Sequence, residues 1–284
     1  MKKEKFSYTR VSCFQTCKWQ YYLKYVKKYK VDRNDNTKLA AKGVAFHEVA
    51  EKYSPEFSID QLTEMMEERA AALFVDPKEY DYREAASRLK WFMDEFAGKS
   101  GLSMKREHWV NGTFAGEPVC GALDVMLSGP DEVKIVDFKS GKSAGTDSYR
   151  DQLALYAALI GQEMRWNYEE TAKKVRCYIF FPLAEIKNKS LNGEERAMEA
   201  LKEIFFTEEQ LVGSIAKFES TIEAIKATDW TKIKSNSAEI SFVCSFCQFA
   251  GLPESLNKDC FCSTTYNQGV KAPRSVKVYK DPTR

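Results

Sequence analysis

Residues 121 to 139 read GALDVMLSGPDEVKIVDFK: Gly121-Ala122-Leu123-Asp124, a Gly129-Pro130-Asp131 turn, then Ile135-Val136-Asp137-Phe138-Lys139. Two apolar runs around a turn describe a β-hairpin. In the second run Asp137 and Lys139 are two residues apart, so on a strand both leave one face while Val136 and Phe138 leave the other. Asp124 falls on the neighbouring strand, from which its carboxylate can converge with that of Asp137. Two carboxylates held together repel unless they share a proton or bind a cation, and hard oxygen ligands select Mg²⁺ or Mn²⁺. A protonated Lys beside such a cation is not a ligand; it suits orienting a water or stabilising transition-state charge. Alone, Asp-x-Lys is a common exposed pair, so its meaning depends on what surrounds it.

Outward from this stretch, Glu107 to Val110, Pro118 to Leu127 and Val133 to Phe138 read as short strands separated by turn signals at Asn111-Gly112 and Ser128 to Asp131. Val175 to Phe181 reads as a strand buried on both faces, and Ile204 to Thr207 as a further one. Helical periodicity covers Tyr8 to Tyr29, Leu39 to Lys52, Ile59 to Phe74, Lys78 to Phe96, Ser148 to Ile160 and Glu208 to Ala227. The chain reads as one α/β domain: residues 1–100 mainly helical, 101–228 a core carrying the strands, 229–262 a cysteine-rich region and 263–284 a basic tail.

The 284 residues are 44% hydrophobic, enough for a core without disulfide staples, and the formal net charge is only +2. That total hides segregation. Residues 1–42 hold twelve Lys or Arg against three acids, residues 44–100 seven against thirteen, and residues 263–284 five against one. Basic ends around an acidic middle fit a polyanion-binding face or, equally, a solvated helix and tail. No apolar run approaches the roughly 18 residues of a membrane span, and Met1 to Ser7 carries no signal-peptide core. The expectation is a soluble cytoplasmic protein, bacterial, archaeal or phage-encoded.

In such a compartment thiols stay reduced, so closely spaced cysteines read as metal ligands. Cys244-Ser245-Phe246-Cys247 forms a C-x-x-C knuckle, Cys260 and Cys262 follow, and Cys13 and Cys17 lie four apart on the first helix. Spacing alone does not separate zinc from an iron-sulfur cluster. Cys120 and Cys177 fall in strand patterns and read as inert core thiols. Two further constellations complete the inventory. Gly43-Val44-Ala45-Phe46-His47 sets one of only two His on a helix, and Gln152 and Tyr156 share a helix face at i, i+4.

Taken in order, Cys17, Gly43 to His47, Glu107, Gly121 to Asp124, Asp137 to Lys139, Gln152 to Tyr156 and Cys244 onward resemble the PD-(D/E)XK nucleases. The likeness is to the RecB-like branch, which includes the nuclease domains of RecB and AddB and CRISPR-associated RecB-like exonucleases. It spans roughly residues 7 to 262 and implies a restriction-endonuclease-like core: a small mixed central sheet flanked by helices, with a helical N-terminal region and a C-terminal Cys cluster. It further implies that His47, Asp124 and Asp137 bind Mg²⁺ or Mn²⁺, with the Phe138 backbone carbonyl as a further ligand. Lys139 would be the catalytic lysine, and Gln152 and Tyr156 would position the substrate or the active centre. Glu107 is either a further metal acid or a surface residue, and His108 reads as exposed structure.

The same resemblance implies a 4Fe-4S cluster on Cys17, Cys244, Cys247 and Cys260. Here the last ligand comes thirteen residues after the knuckle, where about six is usual, and Cys262 competes with Cys260. A Cys13/Cys17/Cys244/Cys247 zinc site is the alternative. The implied activity is metal-dependent hydrolysis of DNA phosphodiesters, by an exonuclease acting on single strands or ends, with a recombination or CRISPR-adaptation protein as a partner and no membrane. A prespacer-trimming nuclease of CRISPR adaptation and a non-catalytic DNA-binding module of the same fold are the other readings.

Overall fold

The structure is a computed structural model that describes residues 4–33, 38–73, 75–76, 78, 80–141, 145–188, 190–234, 244, 247–252, 262 and 276–280. Its contacts group into two compact units: residues 37–113 with 118–216, and residues 1–36 with 114–117 and 217–284.

The larger unit carries a five-stranded sheet in the order β2-β3-β4-β5-β6. Strand β2 (Ser103–Phe114) and β3 (Glu117–Ser128) form a hairpin, and β4 (Val133–Phe138) pairs antiparallel with β3. A crossover through α6 (Arg150–Met164) and α7 (Tyr168–Lys174) returns the chain to β5 (Val175–Phe180), parallel to β4. Strand β6 (Leu201–Ile204) pairs antiparallel with β5 at the far edge. A parallel neighbour needs such a helical crossover, which is why the longest connection within this sheet lies here. Among the described residues no helix is long and apolar enough to cross a membrane. The α/β expectation, with a small mixed sheet flanked by helices, is what is found.

One face of the sheet is covered by α3 (Lys38–Glu51), α4 (Ile59–Ala72) and α5 (Tyr82–Trp91), the last continuing in π-helical turns through Ala97. Phe92 stacks on Phe180 at 5.0 Å, and the Phe138 ring meets Phe46, Phe92 and Phe180 edge-on at 5.4 to 5.9 Å. The alternation at β4 thus sends Phe138 into this layer and leaves Asp137 to the other face. Arg88 on α5 is 2% exposed. Its Nη1 donates to the carbonyls of Pro182 (2.8 Å) and Ala184 (2.7 Å), and its Nη2 meets Glu84 at 2.5 Å. Arg196, on α8 (Gly193–Glu199), donates to the same carboxylate at 2.6 Å. Helix α5 begins at Tyr82 rather than Lys78 because the Asp81 carboxylate caps it by accepting the Glu84 N–H.

One turn reading is corrected. Asn111-Gly112 lies inside β2; the turn is Ala115-Gly116, both left-handed (φ 50° and 69°), as a two-residue type I′ hairpin requires. Gly112 is needed for space instead, since a Cβ there would lie 2.3 Å from Gln162 Oε1. That amide clamps Thr113 on both its N–H and C=O, each at 3.0 Å.

In the smaller unit the helix expected over Tyr8 to Tyr29 is broken. Helix α1 (Tyr8–Thr16) ends at Cys17, whose backbone is extended, and α2 (Lys18–Tyr21) restarts with the Cys17 thiol accepting the Gln20 N–H. The break also means that Cys13 and Cys17 do not share one helix face. After π-helical turns over Tyr22–Val26, strand β1 (Tyr29–Arg33) pairs antiparallel with β7 (Val276–Lys280), so part of the basic tail is a strand. The Trp230 ring stacks on Tyr21 and Tyr22 with interplanar angles of 13° and 12°. Helix α9 runs over Glu208–Ala227. Residues 263–275 of the basic tail lie outside the described residues.

Candidate active site

Five elements of the larger unit bring the candidate residues together. Helix α3 contributes His47; strands β2, β3 and β4 contribute Glu107, Asp124 and Asp137; Lys139 follows β4 directly; α6 contributes Gln152 and Tyr156. The β3/β4 register pairs Val125 with Val136, so one residue further Asp124 and Asp137 fall opposite each other. Two glycines allow the flanking helices to close in. A Cβ on Gly43 would lie 2.9 Å from Ser140 Oγ, so its absence lets the second turn of α3 pass close to the segment that follows β4. A Cβ on Gly121 would lie 2.6 Å from Tyr156 Cε1. The Phe138 ring, packed against Phe46 on the other side, also lies 5.7 Å from the His47 ring and holds it at the rim.

Each central carboxylate faces a basic side chain. His47 Nδ1 lies 3.2 Å from Asp124 Oδ1, while Asp124 Oδ2 accepts the Phe138 N–H at 2.5 Å. Lys139 Nζ lies 2.5 Å from Asp137 Oδ2 and donates to Gln152 Oε1 at 3.2 Å. Gln152 Nε2 donates to Asp137 Oδ1 (3.3 Å) and to the Tyr156 hydroxyl (2.8 Å). Despite its charged neighbour, the buried Asp137 Oδ2 accepts no hydrogen bond of acceptable geometry. Burial, opposed by Lys139 and reinforced by the charge of Asp124, pushes the Asp137 carboxyl up to about 6. Glu107 is also raised, by burial and then by Asp124. Burial pulls His47 down, but the hydrogen bond and charge of Asp124, with Asp137 and Glu107 behind it, hold it above its ordinary value. Tyr156 is raised chiefly by burial.

Ligand atoms of His47, Glu107 and Asp124 lie within 4.8 Å of one another, the one such set among the described residues. Glu107, although on the surface of β2, therefore joins the metal candidates. Sequence periodicity could not show this, because Glu107 sits in the left-handed region (φ 47°), a strained conformation for a non-glycine residue within a strand. His108 is half-buried and outside the set, and its Nε2 is buried without a hydrogen-bond partner. Tyr149, which the motif reading passed over, places its ring 4.9 Å from Lys139 Nζ. The donor set of one imidazole and hard carboxylate oxygens, beside a second, buried carboxylate, fits a divalent cation such as Mg²⁺ or Mn²⁺.

A family model for the PD-(D/E)XK nuclease superfamily matches residues 5–252. The chain belongs to this superfamily. Its members are phosphodiester hydrolases that use divalent metals, and nucleic acid is their substrate. Comparison with curated proteins finds no match. Among solved structures, the chain is similar to a "putative exonuclease" from Eubacterium rectale at 15% identity, covering 81% of this chain and 83% of that one with a TM-score of 0.49. It is also similar to SSO0001 at 12% identity, covering 73% and 93% with a TM-score of 0.32.

The cysteines of the smaller unit divide. The Cys17 and Cys247 thiols are each raised by burial first and then by the nearby thiols of Cys244 and Cys262, Cys247 to about 12. Cys13 is raised to about 11 by burial, with Lys24 and Cys17 as its charged neighbours. Cys260 lies outside the described residues. No three of the described thiols lie within 4.8 Å of one another. Cys177 is fully buried in β5, and Cys120 is half-buried in β3.

Proposed function

We propose that this protein is a metal-dependent deoxyribonuclease, an exonuclease that hydrolyses single-stranded DNA or DNA ends. The observation that carries the hydrolytic reading is the convergence of His47, Glu107 and Asp124 within 4.8 Å beside a buried Asp137 paired with Lys139. His47, Glu107, Asp124 and Asp137, with the Phe138 carbonyl, would hold Mg²⁺ or Mn²⁺. When bound, that ion polarises the phosphate and lowers the pKa of the attacking water. Asp137 keeps Lys139 at the site, and Gln152 fixes both by accepting from the ammonium and donating to the carboxylate. Lys139 orients the water or neutralises charge developing on the phosphate. The basic, aromatic segment around Trp19, Tyr22, Lys24 and Lys27 supports the preference for single strands, because half-exposed rings stack bases while cations follow the backbone.

Cys17, Cys244 and Cys247, with Cys262 or Cys260 as the fourth ligand, are the proposed cluster ligands. A zinc site on Cys13, Cys17, Cys244 and Cys247 is the alternative to the cluster. Anaerobically purified protein should be brown and contain iron; a colourless protein with stoichiometric zinc would overturn this assignment.

The deciding experiment incubates end-labelled single- and double-stranded DNA with Mg²⁺, Mn²⁺ or a chelator and follows which end is lost. The expected result is metal-dependent loss from ends that Asp137→Ala and Lys139→Ala both abolish. Unchanged digestion by both variants would sink the active-site assignment.

A further inference from the structure

Among the described residues, three groups surround the Lys139 ammonium: Asp137 Oδ2 at 2.5 Å, Gln152 Oε1 at 3.2 Å and the Tyr149 ring, whose centroid is 4.9 Å away. They are not equivalent. Asp137 is also a proposed ligand of the catalytic cation, and a carboxylate shared with a divalent ion holds a neighbouring ammonium less strongly. The Gln152 amide is likewise tied to Asp137 by its Nε2, so whatever moves the carboxylate moves the amide. The ring of Tyr149 is the contact that does not pass through Asp137.

That ring is held by elements distant in sequence. Tyr149 closes a 3₁₀ turn (Asp147–Tyr149) at the entrance to α6, with its N–H bonded to Thr146 O at 3.0 Å. Its ring leans on the fully buried Phe181, centroids 6.2 Å apart. The next residue, Arg150, donates to Phe205 O (2.9 Å) and Gln210 Oε1 (3.3 Å) and lies over the Phe206 ring at 5.0 Å. On the other side, the Lys139 N–H donates to Phe180 O at 2.9 Å, extending the β4/β5 ladder by one residue. Phe181, Tyr149 and the ammonium therefore form a short chain of contacts whose two ends are anchored by the same strand pair. A ring face attracts a cation through its quadrupole, most strongly where water is partly excluded, and Tyr149 is half-buried.

We propose that Tyr149 is a positioning residue for the reaction: the face of its ring holds the Lys139 ammonium toward the substrate when the metal ion engages Asp137. The proposal rests on the nuclease reading above. The ring face carries the role, not the hydroxyl.

The test is steady-state cleavage of the labelled DNA. Tyr149→Leu should lower kcat by roughly 3- to 30-fold with KM unchanged, and Tyr149→Phe should restore most of that loss. Replacing Tyr149 with phenylalanines carrying increasing numbers of ring fluorines keeps the shape but drains the ring's negative face, so log kcat should fall with each fluorine. This series stands even if the Leu variant does not fold. Equal kcat across it, or a change confined to KM, would overturn the role of the ring while leaving the nuclease reading intact. A native protein inactive on every DNA with either metal, or full activity in Lys139→Ala, would overturn the nuclease reading and this proposal with it.

Discussion

Replacing Gly121 with Ala tests whether the close approach of β3 to α6 sets the geometry of the active site. An added Cβ would lie 2.6 Å from Tyr156 Cε1 and 2.8 Å from Cδ1, whereas ordinary contact begins near 3.4 Å. The ring or strand must therefore shift by about 0.8 Å. Tyr156 is 7% exposed and has little room to yield. Overpacking of this size costs about 1–3 kcal/mol in stability. The displacement also travels, because the Tyr156 hydroxyl accepts from Gln152, and Gln152 bonds both Asp137 and Lys139. A misplacement approaching 1 Å at reacting groups lowers rates by up to about 10²-fold. Thermal unfolding and steady-state DNA cleavage measure the two effects. A companion pair in the Tyr156→Leu background removes the ring, and there Gly121→Ala should cost less than about 0.5 kcal/mol. If Gly121→Ala is as stable and active as the native protein, or costs the same with and without the ring, the packing argument is wrong.

Arg88→Ala leaves the Pro182 and Ala184 carbonyls without their donor and removes a partner of Glu84; a loss of about 3–5 kcal/mol, read from chemical denaturation, is expected. Glu84 itself has its pKa lowered, burial raising it but the bond from Arg196 and the charges of Arg88 and Arg196 prevailing. A group with a depressed folded-state pKa contributes stability above its unfolded value and loses it as pH falls through the folded value, so stability should drop on acidification below about pH 4.5. Glu84→Gln should flatten that drop, and an unchanged pH profile would contradict it. Glu107→Gln should weaken Mn²⁺ binding, measured calorimetrically, by more than the 10- to 100-fold typical of an outer-shell loss. Unaltered affinity would remove Glu107 from the metal site.

Features encoded at short range were legible before the fold. Asp137 and Lys139 share a face because side chains alternate along any strand, and Gln152 and Tyr156 share one because four residues make about one helical turn. The pairing of Gln152 with Tyr156 at 2.8 Å needs nothing beyond that spacing. Helix α9 spans Glu208–Ala227, the stretch its periodicity marks. The hairpin turn was misplaced because Asn-Gly is the stronger local signal, yet Gln162 from α6 occupies the space beside Gly112 and keeps that dipeptide in the strand.

What the amino-acid sequence determined by itself is the set of reactive groups, their order along the chain and the faces on which neighbours in sequence emerge, since these follow from backbone periods of 2 and 3.6. Tertiary structure alone decided which groups from different elements meet. Glu107 joined His47 and Asp124 through a left-handed backbone at one residue, Cys262 came near Cys17 after the first helix broke, and Tyr149 found Lys139 across the β4–α6 connection. Such meetings depend on how separate elements pack against one another, and no local period encodes the sub-ångström fit of Gly43 on Ser140 or Gly121 on Tyr156 that lets them occur.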